Sequence, residues 1–512
     1  MEKRRRQEGA TMMYISTRGN YPKSMAAEVI KLGMVPGGGL FVPEMVPRLK
    51  SDEINAMAGL TYNEIAQKIF EMYLSDFSSK EISEIVGQSY NQLNFSHEDI
   101  TPVKKVGENF YILELWHGPT AAFKDMALQI MPRFLSQAVR KIGSHKEIVI
   151  LVATSGDTGK AALEGFKDVP GIKIIVFYPF GGVSKVQELQ MNTTEGNNTF
   201  VVAVKGNFDD CQTAVKEIFA DRQFKKVLDD HNMELSSANS INWGRLLPQI
   251  VYYFRAYADL LKKGAISKNE KINIVVPTGN FGNILAGYYA FLMGLPVYKF
   301  ICASNENKVL TDVINTGVYD RRREFLKTKS PSMDILISSN FERFLFEVNG
   351  HNAERIKEWF SQLESKGYFS VDGATRENWQ EILVGDFATE EETLITIKEV
   401  YEETGYLLDT HTAVGVKVYE KYAHKTGDLT KTVICATANP YKFNKAVLEA
   451  VQGPGAVKDQ DEYKMLVDLH RVTGMSIHRA VKDLDKKPIL HKSVIEKDAL
   501  RDEIIKILGI SS

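Results

Sequence analysis

Cysteine is scarce in this chain: Cys211, Cys302 and Cys435 are the only three in 512 residues, far apart and without a C-x-x-C spacing. That excludes a disulfide framework and a cysteine zinc site, and it points to a reduced, cytoplasmic setting. No apolar run approaches the roughly 18 residues that a membrane-spanning helix needs. Net charge is nearly absent as well: 63 Lys and Arg against 65 Asp and Glu give −2, which argues against a nucleic-acid partner. The ten histidines form no H-E-x-x-H or other ligand spacing, so metal catalysis has no support. There is no internal repeat and no low-complexity tract. The basic start MEKRRRQEGATMM is followed by no apolar stretch and is therefore not a secretory signal. It reads as a disordered tail, with Met12 or Met13 as the natural beginning.

What is present is the composition of a globular protein, 44% hydrophobic and 25% charged, long enough for two or three domains. Residues from about 20 to 100 are mostly helical in pattern. From about 110 the pattern becomes strand, loop, helix: EIVILVA before TSGDTGKAALEGF, IKIIVFY before VQELQM, TFVVAV before DDCQTAVKEIFAD, INIVV before PTGNFGNILAGYYAF. Continuous apolar strands, each followed by a helix, predict an α/β fold with parallel sheets covered on both faces. Sites in such sheets gather at the carboxyl ends of the strands. Residues 350–410 read as charged and helical, and 455–512 as a helical tail rich in Lys, Asp and Glu.

Lys124 stands out in ELWHGPTAAFKDMALQ (114–129). Phe123, Met126, Ala127, Ile130, Met131 and Phe134 have the spacing of a buried helical face, which places Lys124 in the first turn. A surface lysine belongs at the other end of a helix. Either its stem covers apolar surface while its head reaches water, or it is held partly desolvated with a lowered pKa, ready to act as a nucleophile or Schiff-base former. The loop ATSGDTGKAA (153–162) can gather backbone N–H groups on an anion, helped by Ser155 and Thr158. Ala161 stands where a nucleotide P-loop requires Ser or Thr, so that reading fails. PTGNFGNILAG (277–287) offers Gly279, Gly282 and a helix start near Asn283 to a phosphate; Phe281 could equally be core packing. Thr437 in ATANPYKF ends a buried strand and faces a strand-end crevice, unless it merely caps a helix. A poised lysine and two anion cradles on one scaffold suit a phosphorylated cofactor held through an amine, pyridoxal 5'-phosphate.

Ten blocks in order now carry a resemblance: YISTRG, GGGLFVPE, ELWHGPTAAFKDMALQ, ATSGDTGKAA, FDDCQTAVKEIF, ANSINWGRLLPQIVYY, VPTGNFGNILAGY, MDILISSNFERFL, DTHTAVGV and ATANPYKF. The chain resembles the threonine synthase family in its longer form, found in fungi and many bacteria, within the tryptophan-synthase-β-like class. The resemblance implies a fold-type II pyridoxal-phosphate enzyme with two parallel or mixed sheet domains covered by helices. Its expected division is a mostly helical region at 1–100 and a small α/β domain at 101–245 with the cofactor lysine and the SGDTG loop. A large α/β domain at 246–512 follows, with the glycine loop, a charged helical insertion and the tail.

By the same resemblance Lys124 holds the cofactor and then shuttles protons. Gly279, Asn280, Phe281, Gly282 and Asn283 hold its phosphate, and the Thr437 hydroxyl faces the ring nitrogen. Ser155, Gly156, Asp157 and Thr158 grip the substrate's α-carboxylate. Ser240, Asn242 and Arg245 receive the substrate's phosphate, the alternative being a helix cap with Arg245 solvated; Ser184 and Lys185 are further candidates for it. The sequence departs from the family's pattern at Asn439 and Tyr441, where His and Ala are usual, and at Asn283, where Asp is common. These changes would touch product partitioning or the fit around the substrate. The implied reaction turns O-phospho-L-homoserine and water into L-threonine and phosphate, in a monomer or homodimer. The alternatives are a phospho-lyase giving 2-oxobutyrate and a non-catalytic protein that binds pyridoxal phosphate.

Overall fold

The computed structural model describes residues 11–154 and 156–510; residues 1–10 of the expected tail and the candidate Ser155 lie outside the described residues. Met12, near the tail's end, is by contrast buried, and its amide donates to Ser75 Oγ at 2.8 Å. Two large sheets organise the chain. The first has six strands in the order Leu383–Phe387, Val297–Ser304, Ile272–Pro277, Thr432–Ala436, Phe110–Glu114, Val103–Lys105, parallel except for the last pair. The second has five strands, all parallel, in the order Ser493–Glu496, Thr199–Lys205, Ile172–Pro179, Glu147–Ala153, Met233–Ser236.

Side chains alternate between the faces of a strand, and here both faces are buried. On the six-stranded sheet Ile274, Val276, Val433 and Cys435 enter one core while Val275, Ile434 and Ile112 enter another. On the five-stranded sheet Ile148, Ile150 and Val152 join the first core, and Val149 and Leu151 a third. Burial of both faces is why these strands read as unbroken apolar runs.

The helix Trp243–Lys262 runs through the shared core and buries 18 of its 20 residues. It is apolar nearly all round, as a fully enclosed helix must be. Trp243 packs against Tyr14, Tyr73 and Tyr289 at ring separations of 5.4 to 5.6 Å, which seats the N-terminal region on this helix. In that region Thr61 and Glu64 form a reciprocal cap at the start of Tyr62–Tyr73. No helix among the described residues is long and apolar enough to cross a membrane.

Three expectations change. First, the helix after Lys124 is two helices, Asp125–Leu128 and Met131–Lys141. Pro132 has no N–H to give the Leu128 carbonyl, which breaks the ladder. The freed carbonyl is where helix Asp157–Phe166 comes closest: a Cβ on Gly165 would lie 1.9 Å from it. Lys124 precedes a single turn and does not sit inside a long helix, so a helix dipole contributes little to its state.

Second, the boundary at 245 separates neither sheet. Strand Phe110–Glu114 pairs with Thr432–Ala436, and Ser493–Glu496 pairs with Thr199–Lys205. Third, the segment near 350–410 is more than a helical insertion, because Leu383–Phe387 is an edge strand of the six-stranded sheet. The tail likewise adds a strand and a helix, Leu500–Leu508, to the second unit.

Candidate active site

Three neighbouring strands of the six-stranded sheet end at one edge, and each delivers a piece of the site. Ile272–Pro277 leads into the glycine loop, Thr432–Ala436 into Thr437, and Phe110–Glu114 into the segment that carries Lys124. The last two segments are laced together. The Phe123 amide donates to the Thr437 carbonyl at 2.8 Å, and the Asn439 amide donates to the Ala121 carbonyl at 3.0 Å. Ala121 lies in the left-handed region at φ 61°. A non-glycine residue held there costs about 1–3 kcal/mol and persists only where its surroundings over-determine it.

Beneath the turn, Asp125 is fully buried and accepts from the Thr120 amide at 2.9 Å and its hydroxyl at 2.7 Å. A Cβ on Gly118 would lie 2.4 Å from the Asp125 side chain, so the turn needs glycine there. Burial raises the Asp125 carboxyl to about 6.

The five-stranded sheet brings the other wall. Strand Glu147–Ala153 ends at the SGDTG loop, where Thr154 Oγ1 accepts from the amides of Gly156 (3.0 Å) and Gly159 (2.9 Å). Gly156 has φ 133°, and a Cβ on it would strike the Gln187 side chain at 2.4 Å. Asp157 then opens the next helix and turns its carboxylate into the cleft. Asp157 Oδ2 lies 3.6 Å from Lys124 Nζ, and Oδ1 lies 3.0 Å from Lys442 Nζ while accepting from Gln187 Nε2 at 3.0 Å. Lys442 also donates to the Thr120 carbonyl at 2.9 Å.

The Lys124 side chain is 12% exposed. Burial pushes its amine below the ordinary lysine value; Lys442 and Arg245 push the same way and Asp157 opposes them. Asp157 itself is held well below the usual carboxylate range by Lys442 and Lys124, against the cost of its burial. The desolvated lysine expected from sequence is therefore present, with burial and neighbouring cations as the cause.

The glycine loop has the features of an anion cradle. Phe281 adopts φ 59° at the start of helix Gly282–Leu292. Among the described residues the amides of Gly279, Asn280, Phe281, Gly282 and Asn283 have no hydrogen-bond partner, and they crowd the positive end of that helix. A Cβ on Gly279 would lie 2.5 Å from the Ser332 carbonyl. The ring of Phe281 turns away to pack on Phe341 and Phe344, so its side chain is core and only its backbone faces the loop. Asn283 Oδ1 accepts from the hydroxyls of Tyr252 (2.6 Å) and Tyr253, and its buried Nδ2 is left unpartnered. Asn280 is exposed.

The buried Thr437 hydroxyl has no protein partner among the described residues. Unpartnered donors around a glycine cradle, a free hydroxyl and a desolvated amine at one strand edge fit pyridoxal phosphate. Lys124 would hold it covalently, residues 279–283 would take its phosphate, and Thr437 would face its ring nitrogen.

Among the candidates for the substrate's phosphate, Arg245 stands apart. It is 4% exposed, donates to the Ala238 carbonyl at 2.6 Å, leaves Nε unpartnered and makes no ion pair among the described residues. Burial pushes its guanidinium down to about 10. The solvated alternative for Arg245 is thereby excluded.

Asn242 departs from expectation. Its Oδ1 accepts from the Gly244 amide at 2.8 Å and its Nδ2 donates to the carbonyls of Ile30 and Ser237, so it caps the helix and has no donor to spare. Ser240 is half-buried, with its carbonyl accepting from Asn340. Ser184 caps helix Lys185–Asn192, and Lys185 pairs with Glu188 at the surface. Thr158 is half-buried in the first turn after Asp157. Asn439 Oδ1 caps the short turn Pro440–Phe443 and the Tyr441 hydroxyl donates to the Met475 carbonyl.

Three residues of the site escaped the sequence reading. Lys442 lies within the ATANPYKF block, where a lone lysine in an apolar stretch was the available signal. Ser332 accepts from Lys124 at 3.4 Å, and its amide donates to Nε2 of His411, whose Nδ1 lies 3.1 Å from Asp409. His411 lies within the DTHTAVGV block, and nothing local marks Ser332.

Comparison with known proteins gives matches along most of the chain. The chain matches the family described as "Threonine synthase N terminus" over residues 13–90, "Pyridoxal-phosphate dependent enzyme" over 95–438 and "Threonine synthase, C-terminal" over 412–493. It is 40% identical to a threonine synthase of Pseudomonas aeruginosa, over 86% of this chain and 90% of that protein. It is 41% identical to human threonine synthase-like 1 over 88% of this chain, and spans 62% of that longer protein. Among solved structures, yeast threonine synthase superposes with a TM-score of 0.87 at 34% identity, covering 98% of this chain and 99% of that one. Pyridoxal-phosphate-bound threonine synthase from Brucella melitensis superposes with a TM-score of 0.85 at 34% identity, covering 96% and 99%.

Proposed function

The chain belongs to the threonine synthase family of fold-type II pyridoxal-phosphate-dependent enzymes, and from that premise we propose that it converts O-phospho-L-homoserine and water into L-threonine and phosphate. The observation that carries the reading is Arg245. A guanidinium buried beside the reacting amine with no counter-ion among the described residues is costly unless a ligand brings the missing negative charge. A phosphorylated amino acid does so, and a guanidinium receives phosphate bidentately.

Pyridoxal phosphate, when bound, supplies an electron sink for the negative charge that develops at Cα and Cβ of the substrate. The protein's part is positioning, proton transfer and exclusion of water. Lys124 would hold the cofactor and, once displaced from it by the substrate's amine, would take the proton from Cα. It would hand that proton back to the substrate–cofactor pair and only then take the proton from Cβ; its lowered pKa keeps part of the amine neutral for this. The backbone amides of Asp157 and Thr158, at a helix start, are offered to the α-carboxylate, whereas the Gly156 amide is already taken by Thr154 Oγ1. The Asp157 side chain does not share in that contact, because it is itself ionised and would repel a second carboxylate. In this reading Arg245 holds the phosphate before and after it leaves Cγ, and the retained phosphate would assist water addition at Cβ. The reaction belongs in the cytoplasm, carried out by a monomer or homodimer.

A second reading, release of 2-oxobutyrate by a phospho-lyase, keeps the same fold, cofactor and phosphate departure and omits only the addition of water at Cβ. One assay separates the two. The pyridoxal-loaded protein is incubated with O-phospho-L-homoserine, and phosphate, threonine and 2-oxobutyrate are quantified together. Threonine equal to phosphate is expected; phosphate matched by 2-oxobutyrate replaces the first reading with the second. Arg245→Ala should raise KM at least tenfold, since a charge-assisted contact to phosphate is worth about 1.5–3 kcal/mol; an unchanged KM removes Arg245 from the phosphate site.

A further inference from the structure

The Lys442 side chain is 1% exposed, yet it carries an ammonium that no aqueous surface solvates. It comes from the turn Pro440–Phe443 at the edge of the six-stranded sheet, whereas its partner Asp157 opens a helix of the five-stranded unit. The pair therefore bridges the two walls of the cleft. Asp157 uses its oxygens unequally: Oδ1 lies 3.0 Å from Lys442 and takes the Gln187 donor, while Oδ2 faces Lys124 at 3.6 Å. A carboxylate facing one lysine holds it as ammonium. A carboxylate shared with a nearer second lysine does so less, and the second cation itself disfavours another positive charge beside it.

We propose that Lys442 is a positioning residue of the active site: it draws Asp157 away from Lys124 and, as a second cation in the same buried cluster, keeps the Lys124 amine able to give up its proton. Its importance to the reaction rests on the reading of Lys124 as the reacting amine. Other charged or titratable groups face the cluster. Arg245 adds to the pressure on Lys124, and Asp125 and His478 face Lys442. Burial pushes His478 down to about 3, so it adds no charge near neutral pH. The bond from Lys442 to the Thr120 carbonyl, and the Thr120–Asp125 contacts below it, fix the ammonium at the foot of the turn that carries Lys124.

The test follows the amine directly and needs no turnover. The full-length apoprotein is labelled competitively with acetic anhydride across the alkaline range, and the extent at Lys124 is read by peptide mass spectrometry. Lys442→Met should raise the apparent pKa of Lys124 by about one unit, a roughly tenfold loss of labelling at a fixed pH below it. Lys442→Arg should leave the profile in place. Lys442→Met combined with Asp157→Asn should return it to the starting value or lower, a restoration that a merely structural role for Lys442 would not give. Should Lys442→Met fail to fold, Lys442→Gln, which can still donate to Thr120, carries the same test. An unmoved Lys124 profile in a folded charge-removing variant overturns the proposal. If the profile shifts as expected but the holoprotein makes no threonine, the positioning stands and the substrate reading falls.

Discussion

Asp125 sits one residue from Lys124, and its carboxyl gives the site a signature in stability. Its folded pKa of about 6 lies above the ordinary value near 3.8, so the folded protein binds its proton more tightly than the unfolded chain does. Stability from this group is complete below about pH 4 and is lost as pH rises through 6. The loss amounts to about 2–3 kcal/mol for a fully buried group. Asp125→Asn cannot titrate, so the melting-temperature difference between wild type and variant should shrink from pH 4 to 6. A difference constant across that range would mean that Asp125 is not desolvated as described. At this scale the sequence reading went furthest where chemistry is local. Lys124, Thr437 and the glycine loop are each marked by their neighbours in the chain. Arg245 was visible as a candidate, but its lack of a counter-ion was not. The role of Lys442 depends on Asp157, which is remote in sequence, and no spacing rule reports such a pair.

Among the elements, helix Asp157–Phe166 has the most to do with alignment, because it carries Asp157 at its start and touches the Lys124 segment along its side. The contact is Gly165 against the Leu128 carbonyl that Pro132 sets free. Gly165→Ala places a methyl group 1.9 Å from that oxygen. The helix must then move outward, at about 1–3 kcal/mol or more. The expected result is a lower melting temperature together with weaker cofactor binding, measured by titrating the apoprotein with pyridoxal phosphate. A drop in stability with unchanged cofactor affinity would show that the helix can shift without carrying Asp157 along. The sequence pattern predicted one long helix after Phe123. Its apolar spacing continues across the break because both pieces bury the same side. Pro132 was the available sign, and a proline within an apolar helical run is a weak one, since proline is tolerated in a helix's first turn.

For the whole molecule, the parallel fold was legible because two buried faces leave unbroken apolar strands. The assignment of strands to sheets was not, because pairing such as Thr432–Ala436 with Phe110–Glu114 depends on contacts distant in sequence. The same holds for the C-terminal segment, which reads as a charged helical surface but closes the third core with Leu500, Ile504 and Leu508. Ile504→Ala should cost about 2–5 kcal/mol. Amide exchange should rise chiefly in strands Glu147–Ala153 and Thr199–Lys205, with the six-stranded sheet little affected. Exchange rising equally in both sheets would mean that the two units unfold as one.

All of these features converge on one amine at the meeting of the two sheets. The most direct test is to reduce the holoprotein with borohydride, which fixes the cofactor to whichever amine carries it, and to map the modified peptide by mass spectrometry. Modification at Lys124, abolished in Lys124→Ala, is the predicted result. Modification at Lys442 or at scattered surface lysines would contradict the site built here.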